Sequence, residues 1–194
     1  MIWPSDTHAA GQRAVFLDRD GVLNEAIVRG GSPYPPRDLG ELKIFPDAAQ
    51  ELHRLKQASF LLIVVTNQPD VSRGTQTRKV VETLHSAIGA VLPVDAFFVC
   101  WHDDKDACEC RKPKPGLLLE AANKYAIDLR RSFLIGDRWR DIDAGYAAGC
   151  RTVQIDWGYN ENSPQFPADY RAASLTEAVD WILGTLQSAV DPEA

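Results

Sequence analysis

No apolar run in this sequence is long enough to cross a bilayer. The longest, Phe60 to Val65, falls far short of the roughly 20 residues that a spanning helix needs. The first residues, Met1 to Arg13, lack the apolar stretch of a signal peptide, so a cytoplasmic protein with no membrane association is expected. A basic excess is also missing, since 27 Asp and Glu outnumber 21 Lys and Arg for a net charge of -6. Nucleic-acid-binding faces normally show the opposite balance, so no nucleic-acid partner is expected. A small anionic substrate still fits if cations cluster locally. Cysteine is sparse, with 4 in 194 residues. In a reducing cytosol such thiols point to a metal site or free cysteines, not to a disulfide framework. Repeats, low-complexity tracts and a linker are lacking, and the length suits one domain over 1–194 with a core from about 14 to 186. A monomer is expected.

What is present alternates between two periods. Val15 to Leu17, Phe60 to Val65, Phe97 to Val99, Phe133 to Ile135 and Thr152 to Ile155 are short apolar runs, most of them continuous, as in strands buried on both faces. Helical patterns separate them. Asp47 to Ala58 and Gly116 to Ala126 are two; a third carries Val80, Val81, Leu84, Ala87, Ile88 and Val91 on one face behind a Thr77 cap. Arg140 to Ala148 reads as a short helix stopped by Gly149, and Ser174-Leu175-Thr176-Glu177 reads as the capping box of a last helix. Strands alternating with helices predict an α/β, doubly wound (Rossmann-like) parallel sheet. The stretch Glu25 to Phe45, with Gly30, Gly31, Pro33, Pro35 and Pro36, is too broken for a regular element and is expected to be a loop shaping a substrate entrance.

In such sheets ligands bind beyond the carboxyl ends of the strands. Asp18 and Asp20 lie there after the first strand, Thr66-Asn67-Gln68 after the second, and Gly136-Asp137 after the fourth. Alone, the first pair could be an Asp-Gly turn, and Thr66 or Asp137 a helix cap. Their coincidence at successive strand ends favours a site. Two crowded carboxylates repel unless a cation or proton lies between them. Asp18 and Asp137 suit a magnesium ion, a hard cation that prefers oxygen ligands. Thr66 offers a hydroxyl to a phosphate oxygen, and Lys112 a point charge near a helix start, although any single lysine is more often an unpartnered surface residue. Cys100, His102, Cys108 and Cys110 fall within eleven positions and suffice for a closed tetrahedral zinc site, with buried free cysteines as the alternative; Cys150, remote from them, suits the latter description. A zinc there would be structural and would pin the loop presenting Arg111 and Lys112.

In order along the chain, Asp18-x-Asp20-Gly21, Thr66-Asn67-Gln68, the Lys112 region and Gly136-Asp137-x-x-x-Asp141 resemble the motifs of the haloacid dehalogenase superfamily of phosphatases. The resemblance covers about residues 14 to 155. It implies that Asp18 is a nucleophile forming an aspartyl-phosphate, and that Asp20 protonates the leaving group and then activates water. The implied magnesium ligands are Asp18, the backbone carbonyl of Asp20, and Asp137, with Asp141 behind them. Thr66 and Lys112 are the remaining implied catalytic groups. No insertion between motifs is large enough for a cap domain, so a capless, open site is expected.

The run Cys108-Glu109-Cys110-Arg111-Lys112-Pro113-Lys114-Pro115-Gly116 resembles the zinc loop of the D-glycero-D-manno-heptose 1,7-bisphosphate 7-phosphatases and of the related histidinol-phosphate phosphatases. Arg73-Gly74 after Thr66-Asn67-Gln68 is typical of the heptose enzymes. Pro69-Asp70-Val71 departs from their usual Ser-Gly-Ile, and the zinc loop is a short version. The resemblance implies removal of the 7-phosphate on the route to activated heptose for lipopolysaccharide or surface polysaccharide. Asn67, Arg73, Arg111 and Arg138 become substrate-binding residues, with Arg73 and Arg111 on the distal phosphate. Histidinol-phosphate hydrolysis is the enzymatic alternative, and a non-catalytic zinc-stabilised binding domain the alternative of another class.

Overall fold

A computed structural model describes residues 11–188. Most of the expected leader-free segment Met1 to Arg13, up to residue 10, and positions 189–194 of the expected single domain lie outside the described residues. In chain order the elements are β1 (Ala14–Leu17), β2 (Ile27–Arg29), β3 (Ser32–Tyr34), α1 (Ala48–Gln57), β4 (Leu61–Asn67), α2 (Arg78–Val91) and β5 (Ala96–Cys100). They continue with α3 (Gly116–Tyr125), β6 (Phe133–Gly136), α4 (Trp139–Ala148), β7 (Arg151–Ile155), β8 (Tyr170–Ala172) and α5 (Leu175–Ser188).

Six strands form a parallel sheet in the order β5-β4-β1-β6-β7-β8. The chain leaves β1 toward β4 and β5, then returns to β6 on the other side. Strand direction of winding therefore reverses at β1, which opens a crevice at its carboxyl end. Burial on both faces explains the continuous apolar runs: Val15 and Leu17 enter one core with α1 and α5, while Ala14 and Phe16 enter the other with α3 and α4. The Thr77 hydroxyl accepts from the Val80 amide, and Gly149 ends α4 at φ +82. Only half of the expected capping box forms. Ser174 accepts from the Glu177 amide, but the Glu177 carboxylate is drawn to the Ala173 amide and the Tyr170 hydroxyl.

Glu25 to Phe45 is not wholly irregular, as the sequence had implied. Strands β2 and β3 pair as an antiparallel hairpin. Its turn residues, Gly30 and Gly31, have φ of +59 and +83, the handedness that a tight two-residue hairpin requires. Pro33 is tolerated because a two-stranded ribbon leaves its nitrogen side unpaired. Strand β8 also went unanticipated, since three residues at a sheet edge carry no apolar run. Among the described residues no helix is long and apolar enough to cross a membrane.

Candidate active site

Asp18 follows the last residue of β1, and its amide extends the ladder to Ile135 of β6 at 2.9 Å. The chain then turns sharply, with the Leu23 and Asn24 amides returning to the Arg19 carbonyl. Gly21 is needed twice over. Its φ is +88, and a Cβ there would fall 1.9 Å from Asp137 Oδ2. At the end of β6, a Cβ on Gly136 would meet the Asp141 side chain at 2.2 Å. The two glycines thus let the Asp137 and Asp141 side chains close on the end of β1.

Lys112 reaches this point from the loop before α3 and is 2% exposed. Its ammonium donates to Asp18 Oδ1 at 2.8 Å and to the Val65 carbonyl at 2.7 Å, and lies 2.5 Å from Asp141 Oδ1. Burial pulls its pKa down, but the Asp141 and Asp18 charges outweigh that and hold it above the ordinary lysine value. Asn67 grips the Lys112 backbone at both ends, its amide donating to the carbonyl at 3.0 Å and its oxygen accepting from the amide at 3.1 Å. The Gln68 side-chain amide donates to both the Thr66 hydroxyl (2.9 Å) and Asp20 Oδ2 (3.1 Å), which joins the ends of β4 and β1.

Asp18, Asp137 and Asp141 are all buried, with one oxygen of each within 4.8 Å of the others. Burial raises the Asp18 pKa to about 6 against the opposing charge of Lys112. Burial, then the charges of Asp18 and Asp141, lifts Asp137 well above the carboxylate range, and the Tyr159 hydroxyl offsets this only in part. Both Asp137 oxygens are sealed from solvent without a well-formed hydrogen bond among the described residues. Three buried carboxylates facing one ammonium leave an uncompensated charge that a divalent cation with oxygen preference would cancel. The donor set fits magnesium.

A second cluster lies at the end of β5. Cys100 Sγ is 3.7 Å from Cys108 Sγ and 3.3 Å from Cys110 Sγ; Cys110 is 3.4 Å from Cys108 and 3.3 Å from His102 Nδ1. Zinc–sulfur bonds of about 2.3 Å at tetrahedral angles place sulfurs about 3.8 Å apart, within about 0.5 Å of these edges. Burial pushes the Cys100 thiol up, so a cation is needed for a thiolate at that position. Gly116 completes the loop, because a Cβ there would fall 2.3 Å from the Glu109 carbonyl oxygen.

Between the clusters opens a cavity of about 300 Å³, walled on one side by the β2–β3 hairpin at Ser32 to Pro35. Contacts hold both the hairpin turn and the chain that follows it. The Asn160 amide donates to the Gly31 carbonyl, and Phe45 beyond it stacks on Trp157, whose indole donates to the Gly21 carbonyl at 2.8 Å. Around the rim every arginine holds a carboxylate. Arg73 forks onto Asp103 at 2.6 and 2.9 Å, Arg111 and Arg140 share Asp104 Oδ1 at 2.8 and 3.2 Å, and Arg138 forks onto Glu161.

The HAD-hydrolase-like family profile matches residues 109–178. D-glycero-beta-D-manno-heptose-1,7-bisphosphate 7-phosphatase of Bordetella bronchiseptica is 35% identical over 154 residues, 75% of this chain and 82% of its own. The chain belongs to this phosphatase family of the haloacid dehalogenase-like hydrolases. The Escherichia coli K12 protein of the same name is 31% identical over 185 residues, 89% of each chain. A crystal structure of the B. bronchiseptica D,D-heptose 1,7-bisphosphate phosphatase, complexed with magnesium and phosphate, superposes with a TM-score of 0.72 at 27% identity. It covers 89% of this chain and 99% of the other.

Within this family fold, Asp18, Asp20, Thr66, Asn67, Arg73, Arg111, Lys112 and Arg138 all line the one cavity, and Asp141 with them. Asp137 sits behind, among the buried carboxylates. Cys150 is buried apart from the Cys100–Cys110 cluster, as expected of an ordinary free thiol. Sequence reasoning passed over Arg140 and Glu161, which also line the cavity. Arg140 could have been noticed inside the Gly136 to Asp141 motif; Glu161 lies in an irregular stretch with no signal of its own. Gln68 has no role that its place in the motif reveals, and its bridge between Thr66 and Asp20 supplies one.

Proposed function

We propose that this chain is a magnesium-dependent phosphatase that removes the 7-phosphate of D-glycero-D-manno-heptose 1,7-bisphosphate by way of an aspartyl-phosphate on Asp18. The observation that carries the reading is the Asp18 carboxylate at the switch point of the sheet. One of its oxygens is held by Lys112, while the other accepts no hydrogen bond among the described residues, in a residue that lines the cavity. That oxygen attacks phosphorus as the bond to the sugar oxygen breaks, and Asp20 gives its proton to the departing alkoxide. Water then attacks phosphorus, Asp20 takes a proton from it, and the bond to Asp18 breaks to release phosphate. The Thr66 hydroxyl and the Lys112 ammonium meet the phosphoryl oxygens, and Asp141 keeps that ammonium in place. Magnesium held by Asp18, Asp137 and the Asp20 carbonyl supplies the positive charge that the transferring group requires.

Arg73, Arg111, Arg138 and Arg140 form the anion-binding rim for the distal phosphate, with Asn67 setting the Lys112 backbone. The rim carboxylates hold these guanidinium groups extended over the cavity until a phosphate takes them by its own fork geometry. Zinc on Cys100, His102, Cys108 and Cys110 is structural. The substrate is a small phosphorylated sugar, a reading supported by the cavity of about 300 Å³ and its arginine rim, and the protein is read as a cytoplasmic monomer.

Phosphate release measured across both heptose bisphosphate anomers, histidinol phosphate and simple sugar phosphates is the deciding experiment. The highest kcat/KM is expected for a heptose bisphosphate, and a clear preference for histidinol phosphate would overturn the assignment. Arg111→Ala is expected to lower kcat/KM on bisphosphates at least tenfold more than on monophosphates, in line with loss of about 1.5–3 kcal/mol from a charged hydrogen bond; equal losses would remove Arg111 from the distal phosphate.

Protons and magnesium compete for the same oxygens. The folded, metal-free protein has Asp18 raised from 3.8 to about 6, so it binds more protons than the unfolded chain between those values. This group's contribution therefore turns against the metal-free fold as pH rises through that window. Magnesium should accordingly raise Tm more at pH 7.5 than at pH 5, as measured by thermal unfolding with and without the ion. A pH-independent increment would count against Asp18 as a ligand.

A further inference from the structure

Behind Asp20 lies a buried set of side chains to which the reaction above gives no role. Arg19, the residue between the two aspartates, is 0% exposed. Its Nε and Nη2 donate to the two Asp20 oxygens at 2.9 to 3.2 Å, and its Nη1 lies 3.0 Å from Nε2 of His85 in α2. A guanidinium can only donate, so Nε2 accepts and the ring proton sits on Nδ1. The His85 ring is itself fixed, buried and stacked on Phe97 of β5 with centroids 4.7 Å apart. Burial, and then the Arg19 charge, drives the His85 pKa down to about 3, which keeps the ring neutral and able to accept at working pH. Asn24 and Gln68 complete the hold on Asp20 at 3.0 and 3.1 Å.

We propose that His85 is a positioning residue for proton transfer: acting through Arg19, it fixes the direction of the guanidinium fork, and the fork fixes the Asp20 carboxylate. The inference rests on Asp20 being the acid/base of the proposed phosphatase. His85 touches neither the cavity nor any reacting group, so its effect must pass along this path. Without the Nε2 acceptor a buried Arg19 N–H is left unpaired, and the fork turns toward another acceptor. Asp20 then presents its proton to the departing sugar oxygen in the wrong direction.

The consequence depends on the leaving group. An alkoxide needs the Asp20 proton as its bond to phosphorus breaks, whereas p-nitrophenolate departs without one. Values of kcat/KM report the steps through formation of the phospho-enzyme and so isolate this half of the reaction. His85→Phe keeps the ring stack and removes the acceptor, and His85→Gln restores an acceptor at the place of Nε2. Positioning predicts that His85→Phe lowers kcat/KM on heptose bisphosphate by about 10- to 100-fold, part of the range for general acid catalysis. On p-nitrophenyl phosphate it should change kcat/KM less than about twofold, and His85→Gln should recover most of the loss. If the Phe variant does not fold, His85→Asn, whose carbonyl stops short of Nη1, takes its place with the same expectation. An equal loss on both substrates, no loss on either, or a Gln variant as impaired as the first would overturn the inference. Failure of the wild-type protein to release phosphate from either compound would instead overturn the phosphatase reading on which it rests.

Discussion

Asp18→Asn is expected to lower kcat/KM on heptose bisphosphate by on the order of a thousandfold or more, as removal of other covalent nucleophiles does. A carboxamide oxygen is too weak a nucleophile to displace the sugar oxygen, and the neighbouring Asp20 has both oxygens held by Arg19, Asn24 and Gln68. Folding should survive the change. Burial has already raised the Asp18 pKa to about 6, so at pH 7.5 the ionised group opposes the metal-free fold. Asparagine removes that opposition, and Lys112 keeps Asp141 and the Val65 carbonyl as partners. The metal-free variant should therefore unfold no lower than wild type at pH 7.5. Its advantage should shrink toward pH 4, where Asp18 is protonated in the folded wild type. Substantial residual turnover in a metal-replete assay would move the nucleophile elsewhere.

Loss of zinc should be the second large effect. Elemental analysis is expected to find about one tightly held zinc per chain, separate from exchangeable magnesium. Cys110→Ser should abolish its retention and reduce kcat/KM by at least about a hundredfold, since apparent binding free energies near 10–16 kcal/mol for structural zinc are folding free energy for the segment it closes. The reach of the effect follows from the chain. Cys110 is two residues from Lys112, whose ammonium must travel inward to Asp18, and the Arg111 Nη1 donates to the carbonyl of His102, itself in the cluster. Freed from the metal, this loop no longer delivers its two cations to the cavity. Cys108 and Cys110 pack against the core on the α3 face only, and the core on the α1–α5 face has no residue from this loop, so circular dichroism should keep most of its wild-type signal while activity falls. A zinc-free protein with full activity would refute the structural role.

Much of this architecture is legible in the sequence. Continuous apolar runs announced strands buried on both faces, and the helical patterns between them announced crossovers. Once a parallel sheet is granted, Asp18, Thr66 and Asp137 must share its carboxyl edge. Local chemistry was legible too, as with the Thr77 cap and the Gly149 stop. The failures were of two kinds. Short edge elements such as β2, β3 and β8 leave little periodic signal, and Pro33 in a ribbon looks like a strand breaker. Side-chain partners were the other: Glu177 had a nearer donor than the one the capping box offered, and Arg73 and Arg111 are matched to Asp103 and Asp104.

By itself, then, the sequence determined the order of the five central strands and the helices between them, and the residue types assembled for phosphoryl transfer, because both follow from spacing along the chain. Which groups are left unsatisfied, and which are held, was decided only by tertiary structure. The missing side chain of buried Gly21 lets Asp137 approach, and burial leaves its oxygens without a well-formed hydrogen bond among the described residues. Arg19 and His85 meet across 66 positions of sequence. Such pairings depend on how the sheet and helices close around each side chain and exclude water, and no periodicity in the chain encodes that.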